Sequence, residues 1–164
     1  MDWSGIAVYA LPWSPASARL VGRAREMANM LGVYLRVVTD DAAAAGAHGA
    51  DEVLTADAAD ADRLARWTRE AAPEIWLFED SPAAARVAGR LAGLLGAPVQ
   101  EGAVSIDLDL NDRSLLVRLE TFGGRQLEEW AAAPDARPQI ALVQTSRLSD
   151  PIPEAREPET HALP

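Results

Sequence analysis

The stretch "EIWLFEDSPAAARVAGRLAGLLGAPVQ", residues 74–100, decides the fold. It opens on a near-continuous apolar run, 74–79, of the kind a strand buried on both faces requires. Two carboxylates follow, Glu79 and Asp80, and then Ser81-Pro82. Serine before proline is a helix start: the hydroxyl caps free amides, and proline suits the first helical position. Val87, Ala88, Leu91, Ala92 and Leu95 then recur at helical spacing, and Gly96 suits the C-terminal cap. "APVQ", 97–100, reads as a further short strand. Strand, helix, strand in that order is the unit of a parallel sheet.

Working outward, the same grammar repeats upstream. "IAVYA", 6–10, is a strand, with Ser14-Pro15 as the next helix start. Leu20, Ala24, Met27, Ala28 and Leu31 form a helical stripe that Gly32 ends. "YLRVVT", 34–39, and "EVLTA", 52–56, are strands around a short alanine-rich segment. "DAADADRLARWTREAA", 57–72, reads as a helix with Leu64, Trp67, Thr68 and Ala71 inward and Pro73 as its stop. This alternation predicts an α/β fold: a three-layer sandwich around a mostly parallel sheet.

After residue 102 the period changes from helical to two. Val104, Ile106, Leu108 and Leu110 share one face, and "NDRS", 111–114, makes a hairpin turn. "RQLEEWAA", 125–132, reads as another strand and "RPQIALVQT", 137–145, as the final one, so an antiparallel β extension follows the α/β body. The domain is expected over 1–148. Residues 149–164, with prolines at 151, 153, 158 and 164, are expected to form a flexible tail that builds no core.

Composition removes several chemistries. The 164 residues contain no cysteine, which excludes disulfides and thiolate nucleophiles. All 15 basic residues are arginine, which excludes a lysine Schiff base and a P-loop lysine. His48 and His161, the two histidines, fall in segments read as loop or tail, so neither a histidine zinc site nor a Ser-His-Asp triad is expected. A net charge of −10 argues against nucleic acid as a partner. No apolar run approaches the ~20 residues of a membrane span. With no basic, signal-like start, the reading expects a cytoplasmic protein without membrane insertion.

The carboxyl ends of the first and fourth strands define the candidate cleft, because strand order reverses there. Its candidate residues are Ser14, Glu79, Asp80 and Ser81. The two turns carry Ser-Pro rather than the glycines a phosphate cradle needs, and two carboxylates there repel phosphate. They suit a cationic or hydroxyl-rich ligand or a metal, or else Asp80 or Ser81 caps the helix. A general-base role for Glu79 or Asp80 lacks a positioned partner in the sequence. Trp67 and Trp76 read as core. Trp3, Trp13 and Trp130 lie near turns or strand ends, where they suit an interface.

The order of these blocks resembles the N-terminal domain of the electron transfer flavoprotein alpha subunit. "LVGRAREMANMLG" (20–32) is similar to that family's first helix, and "GADEVLTAD" (49–57) to its third-strand segment. "EIWLFEDSPAAARVAGRLAGLLGAPVQEGAVSID" (74–107) follows its strand, helix and Leu-Gly-Ala-Pro pattern. "TFGGRQLEEWAAAPDARPQIALVQTSRL" (121–148) resembles its aromatic-Gly-Gly block, Arg-Pro-Gln and last strand. The resemblance implies an adenine nucleotide alpha hydrolase-like, Rossmann-like fold. It implies a scaffold or interaction role without catalytic residues of its own. Expected partners are an electron transfer flavoprotein beta-like subunit and a separate flavin-carrying chain, with a homo-oligomer as a further possibility. Phe122, Gly123, Gly124, Arg125 and Trp130 are the interface candidates. FAD is expected in the complex and not on this chain alone. The alternative is a small module that binds AMP or adenosine in the cleft. One departure is Ala84-Ala85-Arg86, where the family often has glycine, a basic residue and Asp or Asn.

Overall fold

A computed structural model of the chain describes residues 1–164. Four strands form the parallel heart: β1 (Ile6–Ala10), β2 (Leu35–Thr39), β3 (Glu52–Thr55) and β4 (Ile75–Glu79). Four helices connect and cover them: α1 (Pro15–Leu31), α2 (Ala42–Ala47), α3 (Ala61–Ala71) and α4 (Pro82–Leu95). Beyond lie β5 (Val99–Asp109), β6 (Ser114–Thr121), β7 (Gln126–Ala131), β8 (Gln139–Val143) and β9 (Glu159–Ala162). They make one nine-stranded sheet in the order β7-β6-β5-β8-β4-β1-β2-β3-β9. Only the β5–β6 and β6–β7 pairs are antiparallel.

The pleat divides the core in two. Ile6 and Val8 of β1 face α1, where they join Leu20, Val21, Ala24 and Met27. Ala7, between them, faces the other layer with Trp76, Phe78, Leu64 and Leu91 from β4, α3 and α4. Side chains alternate with period two, so a strand with helices on both faces must be apolar along its buried length, as Ile6–Ala10 and Ile75–Phe78 are. Each large side chain so buried contributes about 1.5–3 kcal/mol. Trp76 also needs a partner for its indole N–H. Thr68 Oγ1 accepts it at 3.0 Å, and Trp67 lies edge-on at 5.6 Å.

The helix boundaries follow local chemistry. Ser14 and Ser17 cap α1 reciprocally, and Gly32 ends it at φ +67°. The third helix starts at Ala61 rather than at 57, because Asp60 Oδ1 accepts the Arg63 amide at 2.8 Å and fixes the first turn there. Ala72, left-handed at φ +46°, ends it one residue before Pro73.

Four sequence expectations are corrected. "APVQ" is not a separate strand. Val99–Asp109 is continuous, parallel to β8 at its start and antiparallel to β6 at its end, with a register shift at Gly102, φ +74°. A glycine there bends one strand into two pairing environments. Leu110 does not share the inward face: it sits in the turn, 57% exposed. The strand at 139–143 is last in neither space nor sequence. It inserts between β4 and β5, parallel to both, and all five of its residues are buried. Finally, residues 149–164 do contribute to the body. Glu159–Ala162 pair with β3, and Leu163 is 2% exposed in the α3/α4 core. Pro151 lies against Gly22 and Pro158 against Gly46, where a Cβ would sit 2.4 and 2.8 Å from the proline side chains.

Candidate functional site

Successive connections run to opposite sides from β1 and β4, which are parallel neighbours, and a cleft of about 360 Å³ opens at their carboxyl ends. Its floor and walls are largely apolar, with Leu11, Leu20 and Val87 among them. Tyr9 lines it, stacked on Phe78 at 5.2 Å between ring centres. Burial pushes the Tyr9 hydroxyl above its ordinary pKa, so it stays protonated.

Three of the four expected cleft residues meet there: Ser14, Glu79 and Ser81. Two of them are committed to structure. Ser14 Oγ accepts the Ser17 amide at 3.3 Å, and Ser81 Oγ accepts the Ala84 amide at 3.2 Å. Asp80 is not brought in. Its amide donates to the Val143 carbonyl at 2.8 Å, and its side chain is exposed outside the cleft. Glu79 alone projects a charge into the cleft, half-buried, with no hydrogen bond or ion pair to its carboxylate.

This arrangement has limited chemistry. A general base acts on a positioned partner, and no histidine approaches. His48 Nδ1 lies 2.8 Å from the Ala44 carbonyl beside Trp13, and His161 is on β9. No group of three or more His, Asp or Glu side chains is placed to hold a metal. Nor do the residues fit FAD. Its pyrophosphate needs a glycine-lined turn at a helix N-terminus, but both turns here carry Ser-Pro, with Glu79 facing inward. AMP meets the same carboxylate, so the nucleotide reading draws no support from this geometry.

The interface candidates lie at the other end of the sheet. Phe122, Gly123, Gly124 and Arg125 form the β6–β7 turn; Phe122 is 76% exposed and, like the two glycines, has positive φ. A phenylalanine held there costs on the order of 1–2 kcal/mol. Trp130, 52% exposed on β7, rims a hollow of about 90 Å³ lined by Pro98, Leu115, Val117 and Ile140. Gln139 also lines it. Its Oε1 accepts the Leu115 amide at 2.6 Å, which fixes the amide orientation and leaves Nε2 buried without a partner. Gln139 was not singled out from sequence; a glutamine inside the apolar run 139–143 was the available signal. Leu127, also exposed, adds to this side, and β7 is the sheet's open edge.

The fold and these two regions define a class: a Rossmann-like α/β domain with a mostly parallel sheet and an antiparallel arm. A family model described as the electron transfer flavoprotein domain matches residues 12–164. The chain belongs to that family. It is 32% identical to the electron transfer flavoprotein subunit alpha of Clostridium acetobutylicum and 31% identical to protein FixB of Clostridium saccharobutylicum. In both comparisons 87% of this chain is covered, against 48% of the relative, so the chain spans about half the length of either. The family match runs to residue 164, through the segment that composition set apart as a tail.

Proposed function

We propose that this chain is an alpha-type scaffold domain of an electron transfer flavoprotein complex. It carries no flavin on its own residues and no catalytic group. The flavin is held outside these residues, and a beta-like subunit docks on the β6–β7 arm. The observation that carries this reading is the pairing of an uncovered apolar arm, with Phe122, Leu127 and Trp130 exposed, and a sheet-end cleft whose one charged lining group is the Glu79 carboxylate. On this reading the chain supports electron transfer by assembly rather than by chemistry. The proposal includes a cytoplasmic location; no helix is long and apolar enough to cross a membrane.

The test is reconstitution. The chain purified alone is expected to show no flavin absorbance after incubation with excess FAD and desalting. Co-purified from its native cell, it is expected to bring a flavoprotein chain and a beta-like subunit, and Trp130→Asp is expected to weaken that assembly. Stoichiometric FAD on the isolated chain overturns the scaffold reading.

A further inference from the structure

The α3/α4 layer carries a charge opposite to the rest of the molecule. These two helices hold five of the 15 arginines and two of the 25 carboxylates, a net +3 in a chain of −10. The remainder is therefore −13. The two carboxylates are Asp62 and Glu70; α4 has none. Asp62 is already engaged with Arg90 at 2.7 Å, and Asp60, at the start of α3, caps the Arg63 amide. Arg69 reaches across to the Leu94 carbonyl at 2.8 Å, which ties the two helices side by side.

Two arginines on this face, Arg66 and Arg86, are exposed and make no hydrogen bond or ion pair. The single other arginine in that condition is Arg125, on the β6–β7 turn. Carboxylates are abundant elsewhere, and nine arginines pair with them. Leaving two guanidinium groups free on this face gives it unspent capacity for planar, bidentate carboxylate recognition.

We propose that the α3/α4 face docks an acidic surface of a partner protein, with Arg66 and Arg86 as its free carboxylate-binding groups. This goes beyond the scaffold reading and uses a different surface from the β6–β7 arm. The occupant follows from charge. A compact carboxylate patch fits within the helix pair, about 21 Å along α4. A nucleic acid or an anionic membrane extends past that footprint and meets the −13 remainder, which opposes it within about one Debye length, ~8 Å at physiological salt. Arginine is also the cation that protein interfaces favour.

The test uses the full chain and a fluorescein-labelled ten-residue glutamate peptide, followed by fluorescence anisotropy at low salt. Saturable binding is expected that weakens as salt rises. Arg66→Glu and Arg86→Glu are each expected to weaken it about fivefold. Arg125→Glu makes the same charge change on the arm and is expected to change it less than twofold. Circular dichroism checks that each variant is folded. Absence of binding, or equal loss in the Arg125 variant, overturns the proposal. So does Arg66- and Arg86-dependent sedimentation with phosphatidylglycerol vesicles, which makes the occupant a membrane. Self-association that the same two substitutions abolish makes it a second copy and overturns the proposal too. Reconstitution with flavin reads the scaffold role separately, since neither arginine lies on the arm.

Discussion

Replacing Asp51 by alanine tests how the last residues are held to the body. Asp51 Oδ2 accepts the Leu35 amide at 2.8 Å and Arg25 Nη1 at 2.6 Å, while Oδ1 accepts Arg156 Nη1 at 2.7 Å. The partners differ in burial: the Arg25 side chain is 5% exposed and that of Arg156 39%. Asp51→Ala strands a buried guanidinium that keeps only the Gly49 and Val33 carbonyls. Breaking such a pair costs about 3–5 kcal/mol. Arg156→Ala breaks a solvent-screened pair and costs about 0–1 kcal/mol. At roughly 2–4 °C per kcal/mol for a chain of this size, the first lowers Tm by about 6–20 °C and the second by under about 4 °C. Calorimetry and urea unfolding, followed by tryptophan fluorescence, read both. Equal losses in the two variants refute the assignment of the stability to Arg25. The pH dependence gives a second check. Burial by itself raises the Asp51 carboxyl pKa, but the Leu35 amide, Arg25 and Arg156 outweigh it and hold it below the ordinary value. A depressed carboxyl stabilises the fold fully above its unfolded value, about 3.9, and loses that contribution as pH falls through the lower folded value. Acid titration of stability below about pH 4 is therefore expected to be steeper in the natural chain than in Asp51→Asn.

Three further outcomes follow from the packing. Thr68→Val keeps the shape but leaves the Trp76 N–H buried without an acceptor, at a cost of about 1–3 kcal/mol; an unchanged urea midpoint contradicts the bond. Gly89→Ala and Gly93→Ala place a methyl on α4 where nothing lies within 4 Å, and each is expected to stabilise by about 0.5–1 kcal/mol; destabilisation means the helix depends on those glycines. Deleting residues 159–164 removes β9 and Leu163, with an expected loss of at least about 1.5 kcal/mol and more aggregation by light scattering; unchanged behaviour means β9 does not protect β3.

The parallel half of the fold was legible because each signal had a local cause. Ser14-Pro15 and Ser81-Pro82 both cap helices, and Gly32 and Gly96 both end them in the left-handed conformation. The misses arose where pairing is non-local. Gly102 breaks the sequence pattern, yet in space it lets one strand serve β8 and β6 in turn. The side chains of β9 are all exposed, so no apolar alternation marks a strand held by backbone pairing to β3. At the cleft, sequence could not separate Glu79 from Asp80. Position on the strand decided it, since Glu79 is the last residue of β4 and the Asp80 amide turns away to Val143.

The two edges of the sheet are treated differently, and that asymmetry bears on function. An unpaired edge invites association, so proteins cover it, shorten it or charge it. The β3 edge is covered by β9, and Arg63 reaches the Leu163 and Pro164 carbonyls just beyond it. The β7 edge has no such cover. It carries Glu128 and Glu129, which discourage random pairing, yet it also presents Leu127 and Trp130 beside the exposed Phe122. Charge guards the edge against chance partners, while aromatic and aliphatic side chains with a buried, unpartnered Gln139 donor behind them suit a chosen one. The two edge strands therefore differ: β9 is four residues long with every side chain exposed and polar or small, whereas β7 presents Leu127 and Trp130, the feature on which the proposed docking at the β6–β7 arm rests.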